Sequence, residues 1–418
     1  MSSTKLFKNV RLKGQKELTS ILVEDGVFKR ISADLPEQAG CEVIDLQGKL
    51  VIPPYVDPHM HLDYVFTAGL GEENGSGTLF EGIQRWSESK GHMTVEQMKE
   101  RIYSGIRKEM LNGVQAIRTH IDVTDPTFTG LKAALEVRDE VKDILDLQIV
   151  AFPQEGMYAY KGGDELVEEA LKMGADCVGA IPHFELAREF GEKSVHKAIE
   201  LAVKYDKLLD AHCDETDDTQ SRFLELLNAL ALMEGIGTRT TASHTCSFGS
   251  ADNSYAFRMM KLFKKSGINF ISCPTENVYL EGRQDTYPKR RGITRVKELY
   301  DNGINVCFAQ DSMSDPWYPL GNGNMMMILD HGIHLAQMMS PEITNDLDLV
   351  TTNGAITMSI TDRYGIEEGK PANFIVLDAK SEFEAICERA GITASVRHGE
   401  YLFEKIPAKV TGAIDLLK

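Results

Sequence analysis

Basic residues are short in this 418-residue chain. Lys plus Arg total 45 against 63 Asp plus Glu, a formal charge of -18. Such a surface repels phosphate backbones, so nucleic acid is not an expected partner. The densest basic run, Lys289-Arg290-Arg291 between Pro288 and Gly292, reads as a solvated or subunit-contact loop. No apolar stretch reaches the ~20 residues that span a bilayer, so no membrane segment is expected. Met1-Ser2-Ser3-Thr4-Lys5 leads straight into a strand-like segment without a signal-peptide core. The seven cysteines are scattered, odd in number and contain no Cys-x-x-Cys pair. Most lie in apolar, strand-like surroundings, where reduced cysteine behaves as a small hydrophobe. The chain therefore reads as cytoplasmic. Its 35 glycines and 14 prolines form no low-complexity run.

What is present has a clear order. The two ends are rich in short strands: Leu6–Leu12, then Ser20–Phe28 with a hairpin signal at Asp25-Gly26. Near the other end come Ala372–Asp378 and a hairpin candidate Ser395–Phe403 turning at His398-Gly399. Between them, strand, loop and helix alternate. Candidate strands are Leu50–Val56, Gln115–Ile121, Leu147–Phe152, Cys177–Ile181, Lys207–Ala211, Thr240–Ser243, Asn269–Ser272 and Ile304–Ala309. Amphipathic helical stretches such as Leu131–Val141, Glu165–Lys172 and Ser194–Tyr205 separate them. The expectation is an α/β fold: a (β/α)8 TIM barrel over 53–366, with a small β-sandwich domain formed from 1–52 and 367–418. A doubly wound open sheet is the competitor, but no Gly-x-Gly-x-x-Gly follows any strand to supply its usual cofactor signature.

A barrel of this kind works at the carboxyl ends of its strands. Metal-capable residues fall there repeatedly. Pro58-His59-Met60-His61 follows the first strand, and residues two apart in an extended segment share a face, so both imidazoles can meet one ion. His212-Cys213-Asp214-Glu215 follows the fifth strand, Ser243-His244-Thr245 the sixth, and Ala309-Gln310-Asp311-Ser312 the eighth. Only 11 histidines exist, and four of them occupy these ends. Any one alone reads more readily as a structural histidine; the joint placement points to a metal centre.

This constellation resembles the amidohydrolase superfamily and, within it, the bacterial cytosine deaminases. The resemblance runs through essentially the whole chain. Its most specific stretches are Pro58–Asp63, Val150–Gly156, Gly179–Glu185, His212–Glu215, Asp285–Gly292 and Asp315–Gly321. Binuclear members carry a carbamylated lysine at the end of the fourth strand; here that strand ends Ala180-Ile181-Pro182-His183. The resemblance therefore implies one divalent ion held by His59, His61, His212 and Asp311, either Fe2+ or Zn2+, with iron in vivo and zinc tolerated. It also implies a small-molecule substrate and a homo-oligomer.

The roles it implies follow. Such an ion lowers the pKa of a bound water towards about 7. Asp311 doubles as ligand and proton acceptor, Glu215 protonates the ring nitrogen and then the leaving amine, and His244 hydrogen-bonds the attacking oxygen or supports the ligands from behind. Gln154 offers a donor and an acceptor to the carbonyl and ring N–H of a pyrimidone. Trp317 covers the flat substrate, or plugs the barrel mouth. His120 and His183 take supporting roles; His92, His196, His331, His334 and His398 lie on helices or turns and read as non-catalytic. Met325-Met326-Met327 reads as core. The expected reaction is deamination of a cyclic amidine, cytosine to uracil plus ammonia.

Departures from the pattern cluster where substrate is read. Gln310 and Ser312 flank the metal aspartate where the family has histidine and a second aspartate, and Glu276 and Tyr279 add polarity after the seventh strand. A smaller residue at 312 makes room for a 5-substituted pyrimidine. The alternatives are therefore 5-methylcytosine, isocytosine or creatinine with the same chemistry. Further off stand a cyclic amide hydrolase and a non-catalytic scaffold, which has no need of four ligands together with Glu215 and His244.

Overall fold

Pro53 and Pro54 decide where the chain changes sheet. Leu50–Val56 was expected as one strand; instead Leu50–Ile52 and Tyr55–Met60 belong to separate sheets. Proline lacks an N–H and has a fixed φ, so two in succession cannot continue a ladder. The computed structural model describes residues 4–37, 39–338, 342–406 and 412; Met1–Ser3 and most of 407–418 lie outside the described residues. Two compact units result, Met1–Pro54 with Arg363–Lys418, and Tyr55–Asp362.

In the terminal unit, Thr4–Leu12 pairs antiparallel with Thr19–Glu24 through its first half, while Arg11 and Leu12 pair with Leu50 and Val51. It thereby joins two groups of strands over one core. Phe7, Ile21 and Phe28 from one group meet Val51, Phe374 and Val396 from the other. Both expected hairpins turn where they should. Asp25-Gly26 has φ of 50° and 79°, and His398-Gly399 has 50° and 75°, the left-handed pair that matches strand twist.

The larger unit holds eight parallel strands in chain order: β1 (Tyr55–Met60), β2 (Val114–Asp122), β3 (Asp146–Phe152), β4 (Cys177–Ala180), β5 (Leu208–Cys213), β6 (Thr240–His244), β7 (Asn269–Ser272) and β8 (Val306–Phe308). Helices lie between most of them, as in a (β/α)8 barrel. Closure is local. A parallel bridge joins Met60 to Asp311, with Asp311 N donating to His59 O at 2.8 Å and His61 N donating to Asp311 O at 3.3 Å. Strands β1, β5 and β6 run further than expected at their carboxyl ends, so His59, His212 and His244 are strand residues rather than loop residues.

The barrel interior carries a buried cation. Arg118 on β2 is fully buried and donates to Asp210 Oδ2 at 2.9 Å and to the Thr357 carbonyl at 2.8 Å. Its Nε donates to Gln148 Oε1 at 3.2 Å. The helix Met325–Ala336 buries Met325 and Met326, in line with their reading as core. All seven cysteines are free and five are buried. Among the described residues no helix is long and apolar enough to cross a membrane.

The terminal core makes a direct prediction. Phe374 is 0% exposed, and its ring meets Phe7 edge-on at 5.0 Å. Phe374→Ala should cost about 3–5 kcal/mol in urea unfolding; a loss below about 1 kcal/mol would contradict this packing.

Candidate active site

The strand ends aim their side chains inward partly by leaving regular strand geometry. His244 and Asp311 have φ of 66° and 69°, a left-handed conformation uncommon for residues with a Cβ and typical of functional sites. His59, His61, His212, His244 and Asp311 are all buried. The Nε2 atoms of His59 and His61 lie 3.2 and 3.0 Å from His212 Nε2. Asp311 Oδ1 is 3.5 Å from His59 Nε2 and 3.3 Å from His61 Nε2.

The protons on these rings follow from their surroundings. His59 Nδ1 is 3.0 Å from Ser243 Oγ, and Ser243 donates its own proton to Asp210 Oδ1 at 2.5 Å. The serine oxygen therefore accepts from Nδ1–H, which leaves His59 Nε2 bare. Burial, reinforced by the neighbouring histidines, pushes His59 and His212 well below the ordinary imidazole value and His61 down to about 4. Burial raises the Asp311 carboxyl, but His244 and His61 outweigh it and hold that carboxyl below its usual value. Bare imidazole nitrogens and a carboxylate converge here lone pair against lone pair. Such an acceptor set fits a divalent cation. Two overlapping groups have ligand atoms within 4.8 Å of one another: His59, His212, His244 and Asp311, and His59, His61 and His120.

Glu215 sits beside this cluster, 3% exposed. Its Oε1 accepts from Asn277 Nδ2 at 3.0 Å and lies 3.3 Å from His244 Nδ1. Burial first, then Asp311 and Glu281, push its carboxyl well above the usual range, which favours its protonated form. Its neighbour Asp214 has a purely local task. It accepts from Ser221 Oγ, Phe223 N and Leu224 N and so fixes the start of the helix Phe223–Met233.

The other expected residues are placed differently. Gln154 is buried just beyond β3 with its Oε1 lacking a partner. Ser312 is buried, and its backbone carbonyl accepts from Gln310 Nε2 at 3.2 Å. Trp317 lies one layer back from the ligands. Tyr64 stacks on His61 at 4.6 Å, Trp317 packs on Tyr64 at 4.4 Å, and the Trp317 indole N–H donates to the Leu79 carbonyl at 3.1 Å. Gly82 permits this seat, because a Cβ there would run into the indole. His120 tilts over His59 at 3.9 Å. His183 keeps both ring nitrogens buried and unpartnered.

Several contributors escaped the sequence reading. Asp210 had a usable signal, since it stands two residues before His212 on one strand and so shares its face. Trp86 and Lys90 had a helical one, spaced four apart on Leu79–Lys90. Both reach Asp122 Oδ2, at 2.9 and 2.8 Å, and fasten that helix over the site. Tyr64 and Asn277 had none. A cavity of about 170 Å³ is lined by Glu215, Asp217, Glu281 and the start of the helix Leu79–Lys90; another of about 220 Å³ is lined by Asp315, Trp317 and Tyr279.

Comparison with known proteins agrees with this geometry. The profile of the amidohydrolase family matches residues 42–401. The crystal structure of 5-methylcytosine deaminase from Klebsiella pneumoniae liganded with phosphonocytosine superposes with a TM-score of 0.95. The two are 49% identical, over 97% of this chain and 100% of that one. The N-isopropylammelide isopropyl amidohydrolase of Pseudomonas sp. (strain ADP) is 29% identical over 86% of this chain and 87% of its own length. The pterin deaminase of Rhizobium rhizogenes is 24% identical over 93% and 88%.

Two outcomes test the electrostatics. Ser243→Ala removes the acceptor that orients His59, so metal affinity measured by chelator competition should fall about 10–100-fold; unchanged affinity would contradict the relay. Burial and a hydrogen bond to Asp217 raise Glu281 to about 9, despite Arg290. Folded, Glu281 keeps its proton up to that pH; unfolded, it loses it near 4.5. Folding therefore takes up a proton across this window, and stability falls as pH rises through it. Glu281→Gln removes the uptake, so its stability advantage over the parent should grow from pH 5 to pH 9 in urea unfolding. A pH-independent difference would refute the assignment.

Proposed function

We propose, from the premise that this chain belongs to the amidohydrolase family, that it is a metal-dependent hydrolytic deaminase of a cytosine-type pyrimidine base. The observation that carries this reading is the convergence of His59, His61, His212 and Asp311 on one point, with the buried Glu215 carboxyl beside it. His61 is taken as ligand rather than His244 because His61 Nε2 lies 3.3 Å from Asp311, whereas His244 Nδ1 lies 3.7 Å away and is engaged by Asn277 and Glu215. Fe2+ or Zn2+ suits this donor set. Such an ion supplies Lewis acidity towards a water molecule.

The chain's own residues do the rest. Asp311 accepts a proton from the attacking water. Glu215 donates its proton to the ring nitrogen beside the attacked carbon. It then takes the remaining proton of the attacking oxygen as the oxo group forms and passes it to the departing amine. The proton held by Asp311 then restores Glu215. Asn277 orients Glu215 and His244 together, and His244 hydrogen-bonds the incoming oxygen. Gln154 brings its unpartnered Oε1 to the ring N–H, and its amide N–H to the carbonyl. A C–O bond forms, the C–N bond breaks, and ammonia leaves.

Among bases of this class, 5-methylcytosine is favoured over cytosine, reversing the order drawn from sequence. Two observations support this: a small, buried serine stands at 312 where the family pattern has a second aspartate, and the 49%-identical structure is a 5-methylcytosine deaminase. That enzyme is also known liganded with 5-fluorocytosine, another 5-substituted base.

Ammonia release from 5-methylcytosine, cytosine, isocytosine and creatinine, with iron- and zinc-loaded protein, tests the reading. The first two should exceed creatinine in kcat/KM by roughly 100-fold or more. A preference for creatinine would overturn the substrate class, and absence of ammonia release from every base would overturn the deaminase.

A further inference from the structure

Two stretches that stand out in the sequence, 150–156 and 179–185, contribute only Gln154 to the mechanism above. The structure joins their far ends. Gln154 and Glu155 are the corner residues of a turn that Gly156 N closes by donating to Pro153 O at 2.8 Å. This turn lies beyond the end of β3, so the sheet ladder does not itself hold it. An irregular loop continues from it to the helix Gly163–Met173.

Two side chains hold it instead. Glu185, 9% exposed, follows β4, and its Oε1 accepts from Met157 N at 2.8 Å while its Oε2 accepts from Ala159 N at 2.7 Å. Tyr158 N donates to both oxygens, at 3.2 and 3.1 Å. Three consecutive amides thus converge on one carboxyl. Gly156 permits the approach: its φ is 85°, and a Cβ there would come within 3.0 Å of Glu185 Oε2. From another side Lys90, at the end of the helix Leu79–Lys90, reaches Glu155 Oε1. The same ammonium donates to Asp122 Oδ2 at 2.8 Å and Thr124 Oγ1 at 2.9 Å. The residues so held, Glu155 and 157–159, directly follow Gln154 in the chain.

On the reading above, Gln154 offers one acceptor and one donor to adjacent groups of the base. Such a pair works only when it is held within about 0.5 Å of its place. We propose that Glu185 is a positioning residue for the base: it fixes the loop at 157–159 and so sets the pose of the Gln154 carboxamide. Lys90 fixes the neighbouring corner through Glu155. Both act through Gln154 and not on the base itself. The ring N–H and carbonyl that Gln154 recognises persist while the amine is replaced, so a misplaced carboxamide weakens ground state and transition state alike. The defect therefore falls on KM rather than kcat. This inference rests on the deaminase reading and on the role given there to Gln154.

The test compares KM, kcat and metal content of the metal-loaded enzyme, with the cytosine-type base that it turns over best. Glu185→Gln keeps the volume but sets an NH2 group against the loop amides. It should raise KM about tenfold, with kcat within about threefold of the parent and metal content unchanged. Gln154→Ala should also raise KM, and in its background Glu185→Gln should add less than about threefold, because the pose it sets is gone. A KM within about threefold of the parent for Glu185→Gln overturns the proposal. So does an effect that multiplies undiminished on Gln154→Ala, or a fall in kcat and metal content at constant KM, the mark of a merely structural role. If Glu185→Gln does not fold, judged by circular dichroism, Lys90→Met goes through the same cycle and decides. An unchanged KM in Gln154→Ala overturns the role of Gln154 and this inference with it. Failure of the parent enzyme to release ammonia from any cytosine-type base would instead strike the deaminase reading, on which both depend.

Discussion

Asp311 is held at both ends. Its backbone closes the barrel, exchanging hydrogen bonds with His59 and His61, and its carboxylate meets those same two imidazoles. Closing the barrel and assembling the ligands are therefore one geometric event. A ligand set built on a strand junction inherits the stiffness of the sheet, which is what a site requires when misplacement of an ångström is costly. The positive φ at Asp311 and His244 is tolerated because the surrounding ladders determine it.

Around that junction the electrostatics are layered. Behind the ligands lies a charged column: Arg118 pairs with Asp210, Asp210 accepts from Ser243, and Ser243 accepts from His59. It sets one ring's tautomer from within the barrel. Beside them lie Glu215 and Glu276, whose carboxyls burial pushes well above the usual range. In such a dry environment a proton is more easily retained than a charge. The same burial favours the proton on Glu215 and leaves Gln154 Oε1 without a partner within the chain.

Much of this was legible in the residue order. Alternating apolar strands and helices, with histidines at strand ends, pointed to the barrel, its working face and the candidate ligands, because strand periodicity and burial are local properties. Asp25-Gly26 and His398-Gly399 announced their turns through residue types that tolerate positive φ. The break after Ile52 was written in Pro53-Pro54 but missed, since the apolar run on either side looked continuous. Asp210 was equally readable by its spacing from His212.

Sequence by itself determined the barrel, the donor chemistry and the class of reaction, because these depend on residue types recurring at strand intervals. Only the tertiary structure decided how those residues are shared out. It put Glu215 beside Asn277 and His244, set Trp317 behind Tyr64, and paired Arg118 with Asp210. Each of these depends on contacts between segments far apart in the chain, whose packing no local pattern encodes.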